Sequence, residues 1–158
     1  QLEDGDVDGV YQYVIEPVLR EFASFSFEDI CREYVKELQK KNALPFRYAK
    51  MGRWTGKTTV RDINAENGLR VAETEIDLLG IDRDEREYLI GECKFKTRPF
   101  EYSEYLNTTA KLSHLKDKAE FYYALFSESG FDEKIIKEAE NKKNLTLYDL
   151  ASIVNFKN

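Results

Sequence analysis

Asp77, Glu92 and Lys94 are the residues whose types and spacing could do chemistry. They fall in two runs rich in Ile, Leu, Tyr and Phe, residues 74–82 and 88–96, separated by a charged cluster with no apolar residue. That is the pattern of a strand, a turn and a returning strand. A four-residue loop over residues 83–86 sets Asp82 against Glu87, and counting back along the antiparallel ladder sets Asp77 opposite Glu92. Side chains alternate faces with period two, so Glu92 and Lys94 share one face while Cys93 points to the other. Two carboxylates and an ammonium then meet on one surface. This is either an ordinary cross-strand charge cluster or a pair of acids gripping a cation beside an amine. A slip of one residue would part Asp77 from Glu92, so the inference rests on the loop length.

The elements that must position these residues follow from periodicity. Residues 1–10 are acidic and Gly-containing and read as a frayed or linker-like start, and residues 11–22 are weakly helical with Pro17 at a helix start. Ser26 is placed to cap a clearer helix in which Phe27, Ile30, Cys31, Tyr34, Val35 and Leu38 recur at three- and four-residue spacing through Lys41. The expected organisation is an N-terminal extension over residues 1–26 and a domain over 27–158. A strand is expected over residues 46–54. Asn67-Gly68 is the best two-residue hairpin signal, and residues 69–72 extend the Asp77 strand backwards. Residues 56–66 are either its partner strand or a long loop. Residues 103–118 read as a helix with Leu106, Ala110, Leu112 and Leu115 available for burial, 121–126 as a strand buried on both faces, 132–143 as an amphipathic helix and 145–150 as a last strand. The last strand–helix–strand unit implies a parallel crossover.

Composition narrows the classes. A chain of 158 residues fits one domain with a real core, and 42% apolar with 13% aromatic residues excludes disorder. Two cysteines and one histidine, His114, build neither a disulfide framework nor a Cys/His zinc site, which points to a reducing compartment. No apolar run approaches the roughly 20 residues of a membrane helix. No signal peptide opens the chain, so the expected location is cytoplasmic, without membrane partners. The first residue is Gln, which suggests a piece of a longer protein. The net charge of -6 argues against non-specific nucleic-acid binding. Residues 40–61, however, hold Lys40, Lys41, Arg47, Lys50, Arg53, Lys57 and Arg61 and no acid, a local basic face or a set of solvated positions.

The order of elements, with Asp on the second strand and Glu-x-Lys on the third, resembles the PD-(D/E)XK nuclease superfamily. Within it, Phe27-Glu28-Asp29-Ile30-Cys31-Arg32-Glu33-Tyr34, Gly52-Arg53-Trp54, Glu75-Ile76-Asp77 and Gly91-Glu92-Cys93-Lys94 resemble the C-terminal nuclease-like domain attached to archaeal-type P-loop ATPases of prokaryotes. The resemblance implies an α/β, restriction-endonuclease-like mixed sheet flanked by helices, in the order α-β-β-β-α-β-α-β. It implies Mg2+ (or Mn2+)-dependent endonucleolytic hydrolysis of DNA, because a divalent cation both stabilises phosphoryl charge and delivers hydroxide near neutral pH. Asp77 and Glu92 would be its ligands with the carbonyl of Cys93, a donor set of hard oxygens. Lys94 would orient or help deprotonate the attacking water and offset negative charge. Glu28, or less aptly Glu33, would hold a water of the ion's shell. A P-loop ATPase domain would precede this fragment. The rival implication is a catalytically inactive nucleic-acid-binding or protein-interaction module of that ATPase, self-association included.

Other features have plainer readings. Gly52-Arg-Trp-Thr-Gly56-Lys57-Thr58 has three residues between its glycines where a phosphate-binding loop needs four, and no helix pattern follows, so nucleotide binding is excluded here. Trp54 reads as packing first and base stacking second. Cys31 and Cys93 read as small core residues, and His114 as a surface residue.

Overall fold

The computed structural model describes residues 16–155, and the expectations for residues 1–15 lie outside them. The elements are α1 (Glu16–Lys40), β1 (Lys50–Arg61), β2 (Leu69–Ile81), β3 (Glu87–Lys94), α2 (Tyr102–Ala110), β4 (Glu120–Ser127), α3 (Glu133–Asn141), β5 (Leu145–Asp149) and α4 (Leu150–Asn155). The expected order of elements is the observed one, with α4 added. The five strands form one mixed sheet in sequential order, antiparallel from β1 to β3 and parallel from β3 to β5.

Two apolar layers lie on the two faces of this sheet. On one, Phe27, Cys31, Tyr34, Val35 and Leu38 of α1 cover Leu78, Leu89, Cys93 and Phe126. On the other, Ile76, Leu79, Ile90 and Leu125 pack with Tyr105 of α2 and Ile135 of α3. The alternation Leu89, Gly91, Cys93 against Tyr88, Ile90, Glu92 is what divides β3 between the layers. Every residue of β3 from Tyr88 to Cys93 is buried, as a central strand paired on both sides requires.

Four local expectations differ from the fold. Ser26 does not begin a helix, because α1 runs unbroken from Glu16 to Lys40 across it, with Pro17 in its first turn. A serine inside a helix costs only about 0.5 kcal/mol, less than the backbone bonds that a break would forfeit. The first strand is shifted, to Lys50–Arg61, and residues 56–61 are thus strand and not loop. Asn67-Gly68 does mark a turn, but a seven-residue one: the ladder closes at Arg61 and Leu69, with Gly68 at a φ of 72°. The expected helix over 103–118 stops at Ala110, since Leu112 takes a φ of 55° and buries its side chain; Leu106 and Ala110 are left exposed. A short 3-10 turn, Ser113–Leu115, follows.

The glycines give a paired test of packing. A Cβ on Gly91 would lie 2.9 Å from the Leu78 Cβ in the core, whereas one on Gly52 meets nothing within 4 Å. Gly91→Ala is expected to lower stability by about 1–3 kcal/mol through overpacking, and Gly52→Ala to leave it unchanged or slightly raised, in urea unfolding.

Candidate functional site

The loop between β2 and β3 is what sets the site. Asp82 Oδ1 accepts the N–H groups of Arg86 (2.7 Å) and Glu87 (3.0 Å), and the Asp82 N–H donates to the Glu87 carbonyl. With Glu85 at a φ of 55°, this closes the turn over residues 83–86 and fixes the register Ile81↔Tyr88 through Leu78↔Gly91. The ladder ends at that pair, one position short of the Asp77–Glu92 pairing that the loop length implied.

At Asp77 the backbone pairing changes. From Gly52 to Trp54, two steps on β1, the partners run from Leu79 to Ile76, three steps on β2, so β2 carries one extra residue. Asp77 and Leu78 together face Arg53, a β-bulge of the kind that re-aims a side chain. The bulge is held from two sides. Asp77 Oδ2 accepts the Cys93 N–H at 2.8 Å, and Arg32 of α1 donates to the Asp77 carbonyl at 2.7 Å.

Charged side chains of both signs gather there. Glu92, 8% exposed, lies 3.3 Å from Lys94 Nζ through Oε1 and 2.7 Å from Lys111 Nζ through Oε2. Lys94 Nζ also lies 3.5 Å from Glu104, whose other oxygen pairs with Lys96. Lys111 donates further to the Glu75 carbonyl at 2.6 Å. Beside them opens a cleft of about 350 Å³ lined by Thr58, Thr74, Asp77, Glu92, Asn107 and Lys111, among others. A larger groove of about 740 Å³ runs along α1 past Ile30, Tyr34 and Ile153 and touches neither Asp77 nor Glu92.

The protonation energetics follow from this crowding. Burial raises the Asp77 pKa and the Glu92 charge adds to it, while the Cys93 N–H, Lys111 and Lys94 pull it back only in part. Glu28 is raised too, by burial first and by Asp77 second, against the opposing pull of Arg53 and Arg32. Lys94 is disfavoured as a cation by burial, but Glu92 and Glu104 outweigh this and raise its pKa, so the amine stays charged at neutral pH. The Cys93 thiol is pushed up by its contact with Cys31 and by burial, which fits a small core residue and not a nucleophile.

Of the residues singled out in the sequence, Asp77, Glu92 and Lys94 come together. Cys93 contributes its peptide to the site and turns its side chain into the core. Glu28 is near enough to feel both acids and pairs at 3.9 Å with Arg32. Glu33 is paired with Lys36 on the exposed side of α1. Trp54 packs against the core with its ring over Gly56, and His114 is exposed. Sequence reasoning missed Arg32, Glu104 and Lys111. Arg32 lay inside a block quoted for the resemblance, but nothing local marked Lys111, which reaches the site only because α2 ends at Ala110.

Among the described residues no three His, Cys, Asp or Glu side chains form a metal cluster. The donors at Asp77 and Glu92 are all hard oxygens on adjacent strands, and Asp77 Oδ1 remains beside the Oδ2 that Cys93 engages. This donor chemistry suits Mg2+ or Mn2+ and does not suit a soft metal.

Residues 1–111 match the family DUF234, described as "Archaea bacterial proteins of unknown function", and the chain belongs to that family. Over 76 residues, 48% of the chain, it is 30% identical to the uncharacterized protein MJECL04 of Methanocaldococcus jannaschii, and this stretch is 14% of that protein's length. Among solved structures it is similar to the protein of unknown function AF1548, at a TM-score of 0.46 and 21% identity, covering 81% of this chain and 65% of that one. Among the described residues no helix is long and apolar enough to cross a membrane.

The raised acids make a prediction about pH. An acid whose folded pKa exceeds its unfolded one favours folding when protonated, so its cost is full above the folded pKa and fades as pH falls through it. Asp77→Asn can keep the Cys93 contact through its amide oxygen while removing the charge. It is expected to raise the metal-free melting temperature at neutral pH, and to flatten the gain in stability that wild type shows as pH falls toward the ordinary carboxylate range. Thermal melts of both proteins across that range check this.

Proposed function

We propose that this chain is a divalent-metal-dependent DNA endonuclease domain of the PD-(D/E)XK type, working as part of a larger ATPase-containing protein. The observation that carries the reading is the meeting of Asp77 and Glu92 from adjacent strands, beside a charged Lys94, at the mouth of a cleft. Asp77, Glu92 and the Cys93 carbonyl are the residues that would hold Mg2+ or Mn2+. The ion would supply a nucleophile near neutral pH and counter-charge for the phosphoryl group.

Within that reading the protein's own groups have distinct tasks. The Cys93 N–H and the Arg32 guanidinium hold Asp77 in place from opposite ends, so its free oxygen is pre-aimed. Lys94, kept protonated by Glu92 and Glu104, is suited to offset negative charge on the phosphate and to hydrogen-bond an attacking water. It is not suited to take a proton from that water. Glu28, whose pKa is raised by burial and by Asp77, is the better proton acceptor of the two. Of the basic residues on the exposed face of β1, Arg53, whose charge acts on Glu28, would guide the nucleic-acid backbone toward the site, while Lys57 and Arg61 lie opposite the cleft-lining Thr58 and Val60. The ATPase domain of the proposal comes from the sequence resemblance and would lie in the part of the protein outside this chain.

A second reading has an observation on its side. An ammonium, Lys111, already neutralises Glu92, as it would in a catalytically silent binding or regulatory module of the same ATPase.

Cleavage assays on plasmid, linear duplex and branched DNA with Mg2+ or Mn2+ decide between them. Asp77→Asn and Glu92→Gln are expected to reduce cleavage to background, and Lys94→Ala to slow it by about 10²–10³-fold while metal binding is largely retained. Absence of cleavage on every substrate, or full activity in the two carboxylate variants, would remove the nuclease reading.

A further inference from the structure

Lys111 takes no part in the reaction proposed above, yet it sits at the centre of the acids. Its ammonium bonds directly to Glu92 Oε2 at 2.7 Å and to the Glu75 carbonyl at 2.6 Å, and its charge acts on Asp77. Two carboxylates and a main-chain carbonyl are the donors that a hard divalent ion selects. One positive charge therefore sits among oxygens that suit another. Held together on Glu92 Oε2, the two would lie within a few ångströms, where their like charges repel.

The local structure gives Lys111 somewhere to go. It is the first residue past α2, with an extended backbone at φ -64° and ψ 136°, and its side chain borders the cleft of about 350 Å³ also lined by Thr58, Glu73, Thr74 and Asn107. A four-carbon stem with free rotation can swing the ammonium from Glu92 into that space without moving the backbone. Lys94 differs in being held by Glu104 as well as Glu92, so it can keep its place when Glu92 changes partner.

We infer that Lys111 is a built-in counter-ion that competes with the divalent cation for Glu92, so that metal loading displaces its ammonium into the adjoining cleft. This rests on Asp77 and Glu92 being metal ligands. It assigns Lys111 a role in setting metal affinity, distinct from that of Lys94. In the absence of metal Lys111 neutralises the acids, and once displaced it adds a cation to the cleft where a phosphate backbone would lie.

Calorimetric titration of the full 158-residue chain with MnCl2 tests it. Lys111→Met keeps the stem and removes the charge, and it is expected to bind Mn2+ about tenfold more tightly than wild type. Lys111→Arg, which keeps a cation, should stay close to wild type. The tight binding should vanish in the double variant Asp77→Asn/Lys111→Met. In thermal melts, metal-free Lys111→Met should melt below wild type and gain more from Mn2+, a pattern that mere loss of a structural ion pair would not give. Lys111→Gln repeats the test should the Met variant misfold. Equal or weaker Mn2+ binding in both neutral variants, with a wild-type site that Asp77→Asn abolishes, overturns the role of Lys111 and leaves the metal reading standing. No Mn2+ binding in any variant, or binding that survives Asp77→Asn, overturns both.

Discussion

Two acids on neighbouring strands, Glu92 buried and Asp77 half-buried, are the constraint on which the site is built. Ionised carboxylates in such a position repel, and each loses hydration that the protein must replace. The replacement comes from three directions. The Cys93 peptide donates from within β3, Lys94 and Lys111 neutralise Glu92 from its own strand and from the end of α2, and Arg32 of α1 secures the backbone that carries Asp77. The compensation is incomplete, since the Asp77 and Glu28 pKa values stay raised. Sites tuned for function commonly carry such residual charge strain, and here it leaves the acids poised to accept more positive charge.

The sheet is arranged around that strain. β2 pairs with β3 only as far as Leu78↔Gly91, and the bulge at Asp77 and Leu78 lets β2 continue as an arm with β1 out to Arg61 and Leu69. One insertion of a residue thus does two things. It aims Asp77 at the end of β3, and it leaves the rest of the hairpin free to wall a cleft with Thr58 and Thr74, whose hydroxyls bond at 2.8 Å. The same hairpin turns Arg53, Lys57 and Arg61 outward on the face of β1 opposite to the cleft-lining Thr58 and Val60, and of the three Arg53 acts on Glu28.

Glu104 shows how widely the electrostatics are spread. It completes a capping box at the start of α2 with Glu101 and also pairs with Lys94 and Lys96. A residue that stabilises a helix end also keeps a site lysine charged, so α2 contributes at both ends, through Glu104 at its start and Lys111 just past its finish.

The sequence by itself determined the hairpin, its four-residue loop, the register that carries Asp77 toward Glu92 and the burial of Cys93. These depend on turn chemistry within six residues of Asp82 and on a period of two, both local. It also determined the order of elements and the buried run of β4, because apolar patterns are local too. Only the tertiary structure decided that α1 runs through Ser26, that β2 bulges at Asp77, and that α2 stops at Ala110, with Leu112 buried and Lys111 turned toward Glu92. A cap or a bulge is worth about 1 kcal/mol, and packing against the sheet overrides preferences of that size. The partnerships of Arg32 with Asp77 and of Lys111 with Glu92 span 45 and 19 residues. No local pattern encodes them, because they exist only once a helix end and a strand have been brought to the same place.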